Sequence, residues 1–260
     1  MQAASYTGRM LSAPPQNSPH GAHSARLLAL DTATETMSVA LVDGAQQWVA
    51  DELGGMLASQ RLLPLALTLL ERAGLVLTDL DAIAFGRGPG AFTGLRTACS
   101  VAQGLAFGAR LPVLAIDSLA LLAEDAFAQH GVTELWVAMD ARIDEVYAAA
   151  YRRDGAHWHA VRAPALWTLA ALNEAWRGQP PACVAGSALD AFGARLLTGA
   201  AWRIAAPHKR AAALARLARA AWQRGEALAA ALALPLYLRD KVALTTAERA
   251  AAAATKARVG

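Results

Sequence analysis

The sequence predicts an α/β protein made of two related lobes facing a cleft. Two observations carry this. Apolar runs of strand length alternate with helical patterns along the chain, which calls for layered sheets and helices with some parallel pairing. Two stretches also begin alike. LLALDTATETMSVALVDG at 27–44 and LWVAMDARIDEVYAAAYRRDG at 135–155 each read strand, aspartate, short turn, strand and Asp-Gly turn. That is a coarse internal repeat, of topology rather than of letters.

The elements follow in order. Strands are expected at 27–31, 36–44 and 45–53, with Asp43-Gly44 as a hairpin turn. SQRLLPLALTLLERAG at 59–74 has helical spacing: Leu62, Leu65 and Leu69 mark one face, and Leu63 and Leu70 widen it. Ser59 is the expected N-cap and Gly74 the stop. Pro64 removes a donor inside this helix and should bend or delay it. A strand at 81–85 leads into the loop GRGPGAFTGLR at 86–96. A helix at 93–107 ends at Gly108, with Leu95, Cys99, Ala102 and Ala106 on one stripe. A strand at 111–116 and a helix at 118–129 complete the first half. The second half reads as strands at 134–140, 145–155 and 156–162, a helix at 165–177, a strand at 181–186, and helices at 188–197 and 208–224. Pro235 and Tyr237 mark an extended segment that closes over the body.

Domain boundaries are expected accordingly. Residues 1–25, rich in Pro, Ser and Gly, read as a flexible extension, 26–130 as the first lobe, 131–245 as the second and 246–260 as a tail. Hydrophobic residues make up 55% of the 260, enough for a real core, and no apolar run reaches the length of a membrane span. A cytoplasmic protein is therefore expected, without a secretory signal. The net charge of +3 is too small to argue for a nucleic-acid binder, and Lys209-Arg210 reads as a solvated helix start. Cys99 and Cys183 read as small buried hydrophobes.

Several chemistries are poorly supported. Asp31, at the end of the first strand with Thr32 and Thr34 beside it, fits either a phosphate-facing turn or an ordinary Asx turn. In the glycine loop, Gly86, Gly88, Gly90 and Gly94 free the backbone, Pro89 stiffens it and Thr93 is placed to cap the helix. It lacks the lysine of a P-loop and the last glycine of a dinucleotide fingerprint. A tight strand-to-helix connection is its better reading. The histidines have no metal-ligand spacing, and no serine sits in a hydrolase elbow. No catalytic residue and no metal ligand is assigned.

DTAT at 31–34, LLPLALTLL at 62–70, GRGPGAFTGLR at 86–96, MDARIDEVY at 139–147 and PLYLRDKV at 235–242 together resemble the TsaB (YeaZ) family. The resemblance covers about residues 26 to 245. It implies the two-lobed actin-like ATPase (ASKHA) fold, each lobe a mixed sheet with flanking helices. It also implies a non-catalytic subunit that supports formation of N6-threonylcarbamoyladenosine beside the anticodon of tRNA. The implied partners are TsaD directly, TsaE in the complex, tRNA only through the complex, and a second copy when TsaD is absent. Asp31, Thr32, Thr34 and Asp140 fall at degenerate phosphate-loop positions. No cofactor is expected for this subunit alone, with ATP or ADP and a metal expected in the assembled complex. The helices at 58–72 and 93–107 are the implied partner surface, with Leu62, Leu65, Leu69, Arg96, Cys99, Ala102 and Gln103 as candidates. A charged residue at Cys99 or Ala102 should then block pairing with the fold intact. The chain departs from the family pattern at Ala91, where a serine is usual, and in ARID after Asp140, where a nucleotide-binding lobe usually has glycine. The alternative is an independent ATP-dependent small-molecule kinase of the same superfamily, which would need a working second phosphate loop. A tRNA-binding module is a third reading, and the weak net charge speaks against it.

Overall fold

A computed structural model describes residues 25–206 and 209–239. The first sheet contains β1 (Arg26–Asp31), β2 (Thr36–Asp43), β3 (Gln46–Leu53), β4 (Ala82–Gly88) and β5 (Val113–Asp117), in the order β3-β2-β1-β4-β5. β1 to β3 form an antiparallel meander, with Gly44 at φ 58° in the turn where Asp43 faces Gln46. β4 and β5 join in parallel, through α1 (Ala58–Ala73) and α2 (Phe92–Ala109). α3 (Ala120–His130) follows.

The second sheet repeats this plan. β6 (Glu134–Asp140), β7 (Glu145–Asp154) and β8 (His157–Thr168) form the meander, and β9 (Cys183–Ala185) and β10 (Trp202–Ile204) extend it in parallel. The order is β10-β9-β6-β7-β8. α4 (Leu169–Gly178), α5 (Ala188–Phe192) and α6 (Ala211–Gln223) stand where α1, α2 and α3 stand in the first half. This is the two-lobed actin-like architecture.

Five layers are held by three apolar cores, the middle one reaching both sheets. α1 and α2 cover the outer face of the first sheet through Leu28, Leu30, Leu62, Leu69, Phe85 and Ala102. α3 and α6 lie between the sheets, in a core drawing on Leu27, Ala29, Leu114, Leu121, Val137 and Leu214. α4 and α5 cover the outer face of the second sheet through Leu172, Trp176 and Phe192. β1 is buried on both faces because a helix layer lies on each side, hence the unbroken apolar run LLAL.

α6 lies in sequence within the stretch expected as the second lobe, yet it packs on β1, β2, β3 and β5 of the first sheet. The segment after it also returns there. Leu228 exchanges backbone hydrogen bonds with Val113, and Leu236 N–H donates to Arg87 C=O at 2.7 Å. The residues expected as an N-terminal extension before Ala25, and the tail at 246–260, lie outside the described residues.

Local signals are corrected in four places. Ser59 does not cap α1; a 3₁₀ turn at Gly55–Leu57 runs straight into the helix. Pro64 does not delay α1, which already runs from Ala58, and its C=O accepts from Thr68 Oγ1 at 3.0 Å. α2 passes through Gly108 and closes at Arg110, φ 59°. Residues 165–168, expected as helix, continue β8 opposite β7, and Thr168 caps α4 by accepting from Ala171 N–H at 3.2 Å. The short β10 gave no periodic signal at all. Among the described residues, no helix is long and apolar enough to cross a membrane.

Candidate functional site

The glycine loop closes on the turn that follows β1. A Cβ on Gly86 would lie 1.8 Å from Asp31 Oδ2, one on Gly90 2.5 Å from Ala33 O, and one on Gly94 1.9 Å from Thr32 O. Any side chain there would push the loop off Asp31–Ala33. The polar groups of the two segments satisfy one another. Thr32 Oγ1 donates to Gly94 C=O at 2.6 Å, and Ala91 N–H donates to Ala33 C=O at 2.8 Å. Gly88, at φ 111° and in a cis bond to Pro89, donates its N–H to Ser118 Oγ. The loop is a seam between two backbone segments, not an open cradle of N–H groups. Thr93 lies exposed in the first turn of α2 and caps nothing; Ala91 occupies the N-cap.

Asp31 is fully buried, and its charge is already met. Oδ2 accepts from Ser118 Oγ at 2.9 Å; Oδ1 accepts from Ala33 N–H at 3.2 Å and from Arg210 Nη2 at 2.5 Å. The same Nη2 donates to Thr34 Oγ1 at 3.0 Å. Arg210 is 2% exposed, so it is not the solvated residue that Lys209-Arg210 implied. A second carboxylate fixes its backbone. Asp51 Oδ1 accepts from Arg210 N–H at 2.8 Å, from Ala211 N–H at 3.1 Å and from Ser38 Oγ at 2.6 Å. An anion at the start of α6 also suits the helix dipole. Arg210 Nη1 is buried with no partner among the described residues. Arg210 and Asp31 stand 179 residues apart, so no linear spacing links them. The only sequence signal was a basic residue abutting an apolar helix.

The second phosphate-loop position differs. Asp140 Oδ1 accepts from Arg142 N–H at 2.8 Å, and Ser187 Oγ accepts from Asp140 N–H at 3.1 Å. Arg142, Ile143 and Asp144 run through φ 66°, 55° and 55°. Three successive left-handed residues without glycine place strain in this turn. Arg142 reaches Asp140 at 3.4 Å and, across the cleft, Glu35 at 3.2 Å. Arg239, from the last described segment, bonds Ala141 C=O at 2.8 Å and pairs with Glu145. Glu35, Asp140, Ala141, Arg142, Ser187 and Arg239 line a cleft of about 870 Å³ between the lobes, bounded also by Phe92, Tyr147 and Tyr237.

A divalent cation does not fit at Asp31, because a guanidinium already holds the carboxylate from a buried position. A phosphate there would meet a carboxylate in place of open N–H donors, and the ARID turn presents Arg142 and Asp140 already paired. The Asp31, Thr32, Thr34 and Asp140 positions are thus engaged within the chain.

The expected partner residues divide by burial. Leu62, Leu69, Cys99 and Ala102 face the core, and Leu65 is half-buried. Cys99 Sγ contacts Ala233 C=O at 3.4 Å, Gln103 Nε2 donates to Ala230 C=O at 3.0 Å, and Arg96 Nε donates to Tyr237 Oη at 3.0 Å. A charge at Cys99 or Ala102 therefore strikes the fold itself. The faces of α1 and α2 left open carry Leu63, Leu67, Ser100, Gly104 and Phe107, and Phe107 is 80% exposed. Both cysteines are free and buried.

A second contact joins the lobes. Tyr151 Oη donates to Asp117 Oδ2 at 2.6 Å, and Leu119 N–H donates to Oδ1 at 2.9 Å. Burial raises the Asp117 carboxyl above its ordinary 3.8, against the opposing pull of Tyr151, the backbone N–H groups and Arg87. Burial also pushes the Tyr151 phenol well above 10.0, aided by the Asp117 charge.

A family model described as TsaD, tRNA N6-adenosine threonylcarbamoyltransferase, matches residues 55–188. The solved structure of YeaZ from Pseudomonas aeruginosa is 40% identical, covers 82% of this chain and all of its own, and superposes with a TM-score of 0.74. The tRNA threonylcarbamoyladenosine biosynthesis protein TsaB of Escherichia coli (strain K12) is 45% identical over 135 residues, 52% of this chain and 58% of its own. Its Haemophilus influenzae counterpart is 46% identical over 128 residues, 49% of this chain and 54% of its own. The match thus spans just over half the length of these curated relatives.

Proposed function

The chain belongs to the TsaB (YeaZ) family, and from that premise we propose that it is the non-catalytic scaffold of a tRNA-modifying assembly. In this reading it pairs with TsaD, which forms N6-threonylcarbamoyladenosine, while TsaE and tRNA join the complex rather than this chain alone. A nucleotide and a metal serve the assembly, not this subunit. The observation that carries the reading is the internal pairing of the Asp31 turn. Its carboxylate, hydroxyls and neighbouring backbone are committed to Arg210, Ser118 and the glycine loop, which leaves phosphate-transfer chemistry without a free carboxylate there. The kinase alternative needs those groups.

The partner surface in this reading is the open side of α1 and α2: Leu63 and Leu67 on one, Ser100, Gly104 and Phe107 on the other. Small residues let a facing helix approach, and the large apolar ones supply area. The test is reconstitution with TsaD, TsaE, ATP, threonylcarbamoyl-adenylate and tRNA. Modification is expected only when this chain is present, and Phe107→Asp should lose TsaD on size exclusion while unfolding within about 0.5 kcal/mol of the parent. Equal modification without the chain would remove the scaffold reading. Turnover of Mg-ATP by the isolated chain would favour a kinase.

A further inference from the structure

We propose that Arg210 is a tethered cation. Its guanidinium does at Asp31 what a bound divalent ion would otherwise have to do, so that the end of α6 is pinned to the first sheet without metal.

A fully buried carboxylate needs a positive partner or it takes up a proton. Around Asp31 the chain gathers oxygen atoms of the kind a hard cation takes: both carboxylate oxygens, Thr34 Oγ1 and Ser118 Oγ. Into this set comes the Arg210 Nη2, within hydrogen-bond distance of both Asp31 Oδ1 and Thr34 Oγ1. The arginine is not there by accident of a flexible side chain. Its own N–H and that of Ala211 are held by Asp51 on β3, so Arg210, the N-cap of α6, is anchored twice to one sheet. Gly86 removes the methyl group that would otherwise displace the carboxylate from this position. The positive charge is covalently part of the chain. It therefore cannot be lost by dilution or chelation, and the packing of α6 on β1 and β2 does not depend on ion concentration. This stands apart from any pairing with TsaD.

The test uses the full chain and Mn²⁺ as probe, with thermal unfolding and the electron paramagnetic resonance signal of free Mn²⁺ as readouts. The parent is expected to hold no Mn²⁺ and to melt at the same temperature in chelator and in Mn²⁺. Arg210→Met should melt lower in chelator, take up one Mn²⁺, and gain roughly 5–10 °C once Mn²⁺ exceeds its Kd a hundredfold. The double variant Asp31→Asn with Arg210→Met removes both charges. It should recover most of the lost stability and show no response to Mn²⁺. Mn²⁺ uptake by the parent that Asp31→Asn abolishes would overturn the proposal. So would an Arg210→Met response no larger than that of the double variant, or failure of Arg210→Met to fold in saturating Mn²⁺.

Discussion

Gly86, Gly94 and Gly104 differ in what a methyl group would meet. At Gly86 it would enter the Asp31 carboxylate and at Gly94 the Thr32 carbonyl; at Gly104 it would meet nothing within 4 Å. Gly86→Ala and Gly94→Ala should each cost about 2–3 kcal/mol, as overpacking of a fixed backbone does. Gly104→Ala should stabilise the isolated chain by about 0.5–1 kcal/mol, the helix propensity difference. Denaturant midpoints of the three variants check the contrast. The sequence shows that the loop from 86 to 94 needs glycine. It does not show which glycine answers to a neighbour, because Asp31 and Thr32 lie more than fifty residues upstream.

The helices show how far periodicity reaches. The 3.6-residue repeat located α1 and α2 and placed Leu62, Leu69, Cys99 and Ala102 on their apolar stripes. A stripe is apolar whether it faces the chain's own sheet or another protein, so the pattern could not decide that these residues face inward. Leu63, Leu67 and Phe107 fall to the open side only because the sheet takes the other. α3 carries a different lesson. Its Glu124 is 3% exposed amid apolar neighbours. It accepts from Arg153 Nη1 and Arg216 Nε, each at 2.6 Å, and from Trp158 Nε1 at 2.9 Å, tying together β7, β8, α3 and α6. Glu124→Gln leaves two arginines without their counter-charge. It should cost about 3 kcal/mol, the lower part of the range for a broken buried pair because Arg216 remains partly open to water. Urea unfolding measures this, and a loss below about 1 kcal/mol would show that the arginines find other partners.

At the scale of the whole molecule, the lobes meet through α3 and α6, through the Arg142–Glu35 pair and through Tyr151 on Asp117. The last of these predicts a pH dependence. An acid whose folded pKa is raised stabilises the fold fully below its unfolded value. That contribution fades as pH climbs from about 3.8 through the raised folded value. The stability of the parent relative to Asp117→Asn should therefore fall as pH rises from 4 toward neutrality, as read from unfolding midpoints across that range. A difference that stays flat would mean that the Tyr151 and Leu119 donors fully offset the burial. The sequence by itself determined the order of the strands and helices apart from β10, and the repeated strand–Asp–turn–strand plan, because each is set by residues close together in the chain. Only the tertiary structure decided that Arg210 meets Asp31, that α6 crosses to the first sheet, and which sides of α1 and α2 stay open. Those outcomes depend on which buried charge lies within reach and which face a sheet covers, and neither is a property of neighbouring residues.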